Sequence, residues 1–162
     1  MTTVGCTGHQ SLSLWTRRQV AAEIATYLAT IPGELTGVCS LAGGADQIFA
    51  HALLAAGGHL RAVIPSANSH DSFTRDDDRT AFTHLLEQAI ERTDLPFPKP
   101  TEEAYMAAGK AVSDASDILL AVWDGKPAAG LGGTADVVAY ARERGRHVMV
   151  IWPPGSSRGG TP

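Results

Sequence analysis

Three short glycine-rich runs hold the residues best suited to chemistry: Gly5-Cys6-Thr7-Gly8-His9, Gly43-Gly44-Ala45-Asp46 and Gly130-Leu131-Gly132-Gly133-Thr134. Glycine has no Cβ, so its backbone can approach a ligand closely and adopt positive φ. Each run lies between a strand-like segment and a helix-like one. The first amides of a helix have no partner inside it, and together with the helix dipole they attract an anion, phosphate above all. Thr7 and Thr134 add hydroxyl donors. Tight strand-to-helix turns also need glycine, so a single run is ambiguous. Three runs at one edge of one sheet point to a shared ligand.

The candidate ligand-binding set is therefore Gly5, Thr7, Gly8, His9, Gly43, Gly44, Ala45, Asp46, Asp124, Gly130, Gly132, Gly133 and Thr134. Asp46 suits either a ribose contact or a helix cap. His9 suits a phosphate contact or loop packing. Asp124 ends an apolar run and suits a site or a turn before Gly125. Asp71 and Arg79 fall in and after a long polar stretch and could face a cleft, whereas Asp76, Asp77 and Asp78 read as solvated charge. Asp124, Asp46 and Asp71 are the carboxylates available for catalysis. The first run reads GxxGH, not GxGxxG, and the third lacks the Gly-Lys-Ser/Thr of a Walker A loop. Hydride transfer and ATP hydrolysis by those routes are disfavoured. No cofactor is obligatory on this reading, and a nucleotide-like ligand is possible. Cys6 and Cys39 form no CxxC pair and read as reduced core thiols, and no zinc-ligand spacing occurs.

The elements that must position these residues alternate along the chain. Strands are expected at 3–6, 36–41, 60–64, 118–123 and 147–152, with a short edge strand within 92–100. Helices are expected at about 13–31, after Asp46 up to Gly57-Gly58, 79–91, from Thr101 to Ser113, and 134–144. Thr16 and Gln19 fit a capping box for the first, and Thr101 caps the fourth. The 66–78 stretch is a candidate lid. Alternation of this kind makes right-handed βαβ units. The expected fold is a single Rossmann-like, doubly wound α/β domain at 1–152, with a mostly parallel sheet flanked by helices. Residues 153–162 read as a disordered tail. Ligands in such sheets bind beyond the carboxyl ends of the strands, where strand order reverses.

The 162 residues suit one domain with one core. A net charge of −4, with only three lysines, makes a nucleic-acid partner unlikely on composition, since such binding needs a dense basic face. Four late arginines (Arg142, Arg144, Arg146 and Arg158) suggest a local basic patch. No signal peptide or membrane-spanning run is visible, so a cytoplasmic protein is expected.

Four segments, TGHQSL, AGGADQIFAHALL, AVSDASDILLAVWDG and GLGGTADVVAYARERGRHVMVIWP, resemble the SLOG superfamily over residues 2–152. That group contains the Lonely-guy phosphoribohydrolases, the so-called lysine decarboxylases, molybdenum-cofactor carriers and DNA-processing protein A. The resemblance implies a Rossmann-like nucleotide-binding fold, often homodimeric. It implies phosphate contacts at Gly132, Gly133 and Thr134 and a ligand contact near Gly43–Asp46. The phosphoribohydrolases carry PGGxGTxxE with a catalytic glutamate. Setting its threonine on Thr134 places Val137 at the glutamate and Ala129 at the proline. Asp136 lies one residue away, rotated by about 100° on a helix.

Four functions compete on these grounds. Single-stranded DNA binding is opposed by the acidic charge, and molybdenum-cofactor carriage has no specific support, which leaves two in front. The first is a binding or sensing module for a nucleotide or nucleotide-derived ligand. The second is a nucleoside 5′-monophosphate phosphoribohydrolase, an N-glycosidase with a non-standard catalytic carboxylate. A homo-oligomer is expected in either case. Ala104, Ala107, Ala108 and Ala111 would allow close helix packing, within the subunit or across a dimer.

Overall fold

The computed structural model describes residues 1–128 and 130–158. Its strands are β1 (Thr2–Gly8), β2 (Leu35–Cys39), β3 (His59–Ile64), β4 (Glu91–Asp94), β5 (Ile118–Val122) and β6 (His147–Ile151). Its helices are α1 (Leu14–Ala29), α2 (Ala45–Ala55), α3 (Asp76–Gln88), α4 (Glu102–Asp114) and α5 (Thr134–Glu143). The sheet runs β4-β3-β2-β1-β5-β6, and every neighbouring pair is parallel. Chain order reverses between β1 and β5, where Gly8 pairs with Val122 at the carboxyl edge. The expected α/β Rossmann-like fold is borne out.

Side-chain alternation along the strands divides the core in two. Cys39, Ala62, Ile64, Leu120 and Val122 pack with Val20, Ile24, Phe49, Leu53, Phe82 and Leu85 from α1, α2 and α3. Val38, Val63 and Leu119 face the other way, onto Ala108 and Val112 of α4 and Val137 and Ala141 of α5. Burial on both faces is why the central strands read as continuous apolar runs. Ala104 and Ala108 of the alanine stripe are fully buried within the subunit, where α4 packs on α5.

Several boundaries differ from the sequence reading for physical reasons. Ser13 caps α1 in place of Thr16: its Oγ accepts the Thr16 amide at 3.1 Å and donates to Thr16 Oγ1 at 2.7 Å. Helix α3 starts at Asp76 rather than Arg79. Asp76, Asp77 and Asp78 form its first turn, where the dipole favours carboxylates; they read as loop because their charge hid that role. The remaining connection is shortened further by a 3-10 turn at Ser69–Ser72. Helix α3 ends at Gln88, and after Ala89 and Ile90 the chain enters β4, which matches the expected edge strand but starts a residue earlier.

Residues 153–158 do not behave as the loose tail expected of them. Ser157 accepts a hydrogen bond from Ser13 N at 3.2 Å and donates its own amide to Thr16 Oγ1 at 2.9 Å. Residues 159–162 lie outside the described residues. No helix among the described residues is long and apolar enough to cross a membrane.

Candidate functional site

The parallel strands bring the ends of β1, β2 and β5 to one edge, but the three glycine runs play different parts there. Gly5 is not in a turn at all. It sits inside β1 between Val38 and Leu119, and a Cβ there would strike Ser116 and Val112. Its lack of a side chain serves packing, which removes it from the candidate ligand set. Gly8 ends the strand, where a Cβ would meet Ala45 and Val122.

The second run is stitched to the first. Gly44 has φ +75° and approaches the carbonyls of His9 and Gln10. The Ala45 amide donates to His9 O at 3.1 Å. That amide, expected to meet a ligand, is consumed by the protein. Ala45 and Asp46 are buried beneath the loop. The Asp46 Oδ2 accepts the Ala42 amide at 3.3 Å, so the residue ties the loop in place rather than facing a ribose. Burial pushes its carboxyl up to about 7 despite hydrogen bonds from the Ala42 and Ser40 amides, which act the other way.

The third run stays open. Gly132 has φ +86° and lies so close to α4 that a Cβ would be 2.7 Å from Glu102 O and 2.8 Å from Met106 N. Asp136 Oδ2 accepts the Gly132 amide at 3.2 Å and fixes the turn. Gly133 is the N-cap of α5 and its carbonyl accepts the Asp136 and Val137 amides. The amides of Thr134 and Ala135 have no partner among the described residues. Ala129, the departure from the family proline, lies outside those residues.

A cleft of about 360 Å³ opens at the β1/β5 switch point. Thr7, Gly8 and His9 form one wall, and Gly130, Gly132, Gly133 and Thr134 another. Lys126, Arg158, Glu102 and Tyr105 complete it. A second cleft of about 310 Å³ adjoins it at the ends of β2 and β3, where Gly43 lies with Arg17, Arg75, Phe73 and Asp78. Gln10 and Tyr105 line both.

The proposed catalytic carboxylates do not converge on the first cleft. Asp71 is exposed and pairs with His70 at 3.2 Å. Asp46 is buried as described. Asp124 is partly buried and fully engaged: Oδ1 accepts the Lys126 amide at 2.9 Å, and Arg158 pairs with both oxygens. Desolvation would raise its carboxyl, but Arg158, the Lys126 amide and His9 outweigh it and hold the group at about 2. His9 is a packing residue. Its Nε2 accepts the Asp124 amide at 3.1 Å and its ring meets Trp152 edge-on at 5.5 Å. Burial, then the Arg158 charge, lower its pKa more than Asp124 raises it, a direction that favours the unprotonated Nε2 as acceptor. The carboxylate that lines the first cleft is Glu102, at the start of α4.

Glu102, Tyr105, Lys126 and Arg158 were missed as site residues. A signal existed for two of them: Glu102 and Tyr105 are three apart on a helix, so they share a face. The sequence marks Arg158 only as one of the four late arginines, which does not single it out. The expected late basic patch disperses: Arg144 lies 3.5 Å from Asp114 and Arg146 donates to Asp114 O, while Arg158 alone turns to the cleft. Val137, at the family's glutamate position, is 2% exposed and packed in the core. No group of three His, Cys, Asp or Glu that could hold a metal occurs among the described residues.

An all-parallel six-stranded sheet with its cleft at the reversal of strand order defines a Rossmann-like α/β protein. DNA processing protein A from Streptococcus pneumoniae superposes with a TM-score of 0.69 at 20% identity, over 96% of this chain and 52% of that one. DNA processing protein A from Helicobacter pylori, described with a unique single-stranded DNA binding mode, gives 0.67 at 17%, over 98% and 69%. The protein TM1055 gives 0.57 at 12%, over 91% and 72%. The chain thus spans about half the length of the pneumococcal protein. At these identities the likeness is one of fold. No protein-family model and no curated protein matches the sequence.

Proposed function

We propose that this chain is a binding module for a nucleotide or nucleotide-derived ligand, whose phosphate sits in the cleft at the β1/β5 switch point. The observation that carries the reading is the start of α5. The Thr134 and Ala135 amides have no partner among the described residues, and these two residues line the same cleft as Lys126 and Arg158. A dianionic phosphate satisfies those donors and gains from the helix dipole. Binding is favoured over turnover because Asp46 is buried, Asp71 lies outside this cleft and Asp124 is already paired. That leaves Glu102 as the cleft's one carboxylate among the described residues. Calorimetric titration with AMP, GMP, CMP, UMP, adenosine and inorganic phosphate tests it. Monophosphates should bind and adenosine should bind at least tenfold more weakly. Equal binding of AMP and adenosine, or no binding by any monophosphate, would end the reading.

A second reading is single-stranded nucleic acid. It draws on the adjoining cleft, where Arg17, Arg75 and Phe73 extend the row of cations and rings past Gln10 and Tyr105. It also draws on the likeness to a protein described as binding single-stranded DNA. Anisotropy of a labelled oligothymidylate separates the two readings, because a strand neutralising several phosphates loses affinity steeply with salt.

A further inference from the structure

We infer that Arg158 is the residue that recognises the ligand's phosphate in the switch-point cleft, and that Asp124 is its positioning residue. The inference rests on the binding reading above and assigns the charge recognition within that site.

The guanidinium is delivered by the segment after β6. Gly155, at φ +86°, lies against the Trp15 ring, and Ser157 is fixed to the start of α1 through Ser13 N and Thr16 Oγ1. Arg158 then meets Asp124 side-on, Nε to Oδ2 at 2.7 Å and Nη2 to Oδ1 at 3.1 Å. A guanidinium has five N–H donors in a rigid plane. Asp124 takes two, from the Nε edge, and leaves the Nη1 end without a partner among the described residues. The residue lines the cleft with Thr134 and Lys126. Asp124 is itself held from two sides: its backbone amide donates to the buried His9 ring and its Oδ1 accepts the Lys126 amide. The plane of the guanidinium is therefore set before a ligand arrives. A forked donor pair held in this way suits a phosphate, which accepts two parallel hydrogen bonds. Lys126, a point charge on a flexible stem, lacks that geometry.

The test uses AMP as the probe, on the full chain with Arg158→Gln and Arg158→Lys variants. Calorimetry should show AMP affinity reduced about tenfold or more in Arg158→Gln, the range for a hydrogen bond to a charged group, with Arg158→Lys in between. The ¹⁵N-edited resonance of Arg158 Nε–H in the wild type should shift on adding AMP and stay in place on adding adenosine. A merely structural role would not produce that contrast. Thermal unfolding confirms that each variant is folded, and the wild-type resonance decides the matter if one is not. Undiminished AMP affinity in Arg158→Gln, or a resonance indifferent to AMP, overturns the assignment of Arg158 alone. A wild type that binds no monophosphate overturns the phosphate reading and this inference with it.

Discussion

Asp124 and Arg158 are 34 positions apart, yet Arg158 Nε lies 2.7 Å from Asp124 Oδ2, joining the end of β5 to the segment that follows β6. The pair makes an acid-labile fastening. The Asp124 carboxyl is held at about 2, below its ordinary value near 3.8. A depressed folded-state pKa contributes stability above the unfolded value, and that contribution is lost as pH falls through the folded one. Urea midpoints of the wild type and Asp124→Asn should converge as pH drops from about 4 toward 2. The wild type should be the more stable at pH 6. Parallel curves over that range would show that the pairing adds no pH-dependent stability.

Asp46 should act with the opposite sign. Its carboxyl is pushed up to about 7 from 3.8, chiefly by burial. Its contribution is fully present below the unfolded pKa and disappears as pH rises through the folded one. Wild-type stability should therefore decline between pH 4 and 7 through this group. Asp46→Asn keeps an oxygen to accept the Ala42 amide and cannot ionise. Its stability should be flat over the same window and should exceed the wild type's at pH 8. The check is a set of thermal midpoints at unit pH intervals; identical slopes in the two proteins contradict the assignment.

Much of the fold could be read from the chain because its signals are local. The apolar run Ile118–Val122 could only be a doubly buried strand, and Thr101 followed by Glu102 and Glu103 is a helix start with its cap bond to the Ala104 amide formed as expected. The site was less legible because its decisive facts are pairings between distant segments. Whether the Ala45 amide is open depends on His9 O, 36 positions earlier. Gly5 and Gly132 look alike in sequence, yet one accommodates Ser116 beneath the sheet and the other a left-handed turn against α4. In the sequence Arg158 is marked only as one of four late arginines, since its role comes from Asp124 and from the docking of Ser157 onto α1.

The two demands that Gly132 meets, a left-handed φ and close approach to α4, can be separated by substitution. Gly33 and Gly132 both have positive φ, +79° and +86°. A Cβ at Gly33 meets nothing within 4 Å, whereas one at Gly132 strikes the backbone of Glu102 and Met106. Gly33→Ala should cost only the left-handed penalty, about 1–2 kcal/mol. Gly132→Ala should cost more than that and should also abolish AMP binding, because the turn that presents the Thr134 amide must move. Denaturant melts and calorimetry measure both. Equal costs with binding retained in Gly132→Ala would show that the loop tolerates displacement and does not form the site.

The hydrolase alternative can be put to the residue that departs from the family pattern. Val137 is 2% exposed, and a Cβ added to Gly109 of α4 would strike its side chain. A glutamate there would place an unpaired carboxylate among Ala108, Val112 and Leu119, which costs several kcal/mol. Asp136→Glu stays outside that core but loses the short reach to the Gly132 amide. Val137→Glu should therefore lower the thermal midpoint sharply and release no free base from AMP. Glu102 is the carboxylate that already lines the cleft. If the wild type does release base, Glu102→Gln should abolish that release while leaving Asp71→Asn as active as the wild type. Base release by a stably folded Val137→Glu variant, absent in the wild type, would instead mean that this helix face reaches the cleft, contrary to its packing against α4.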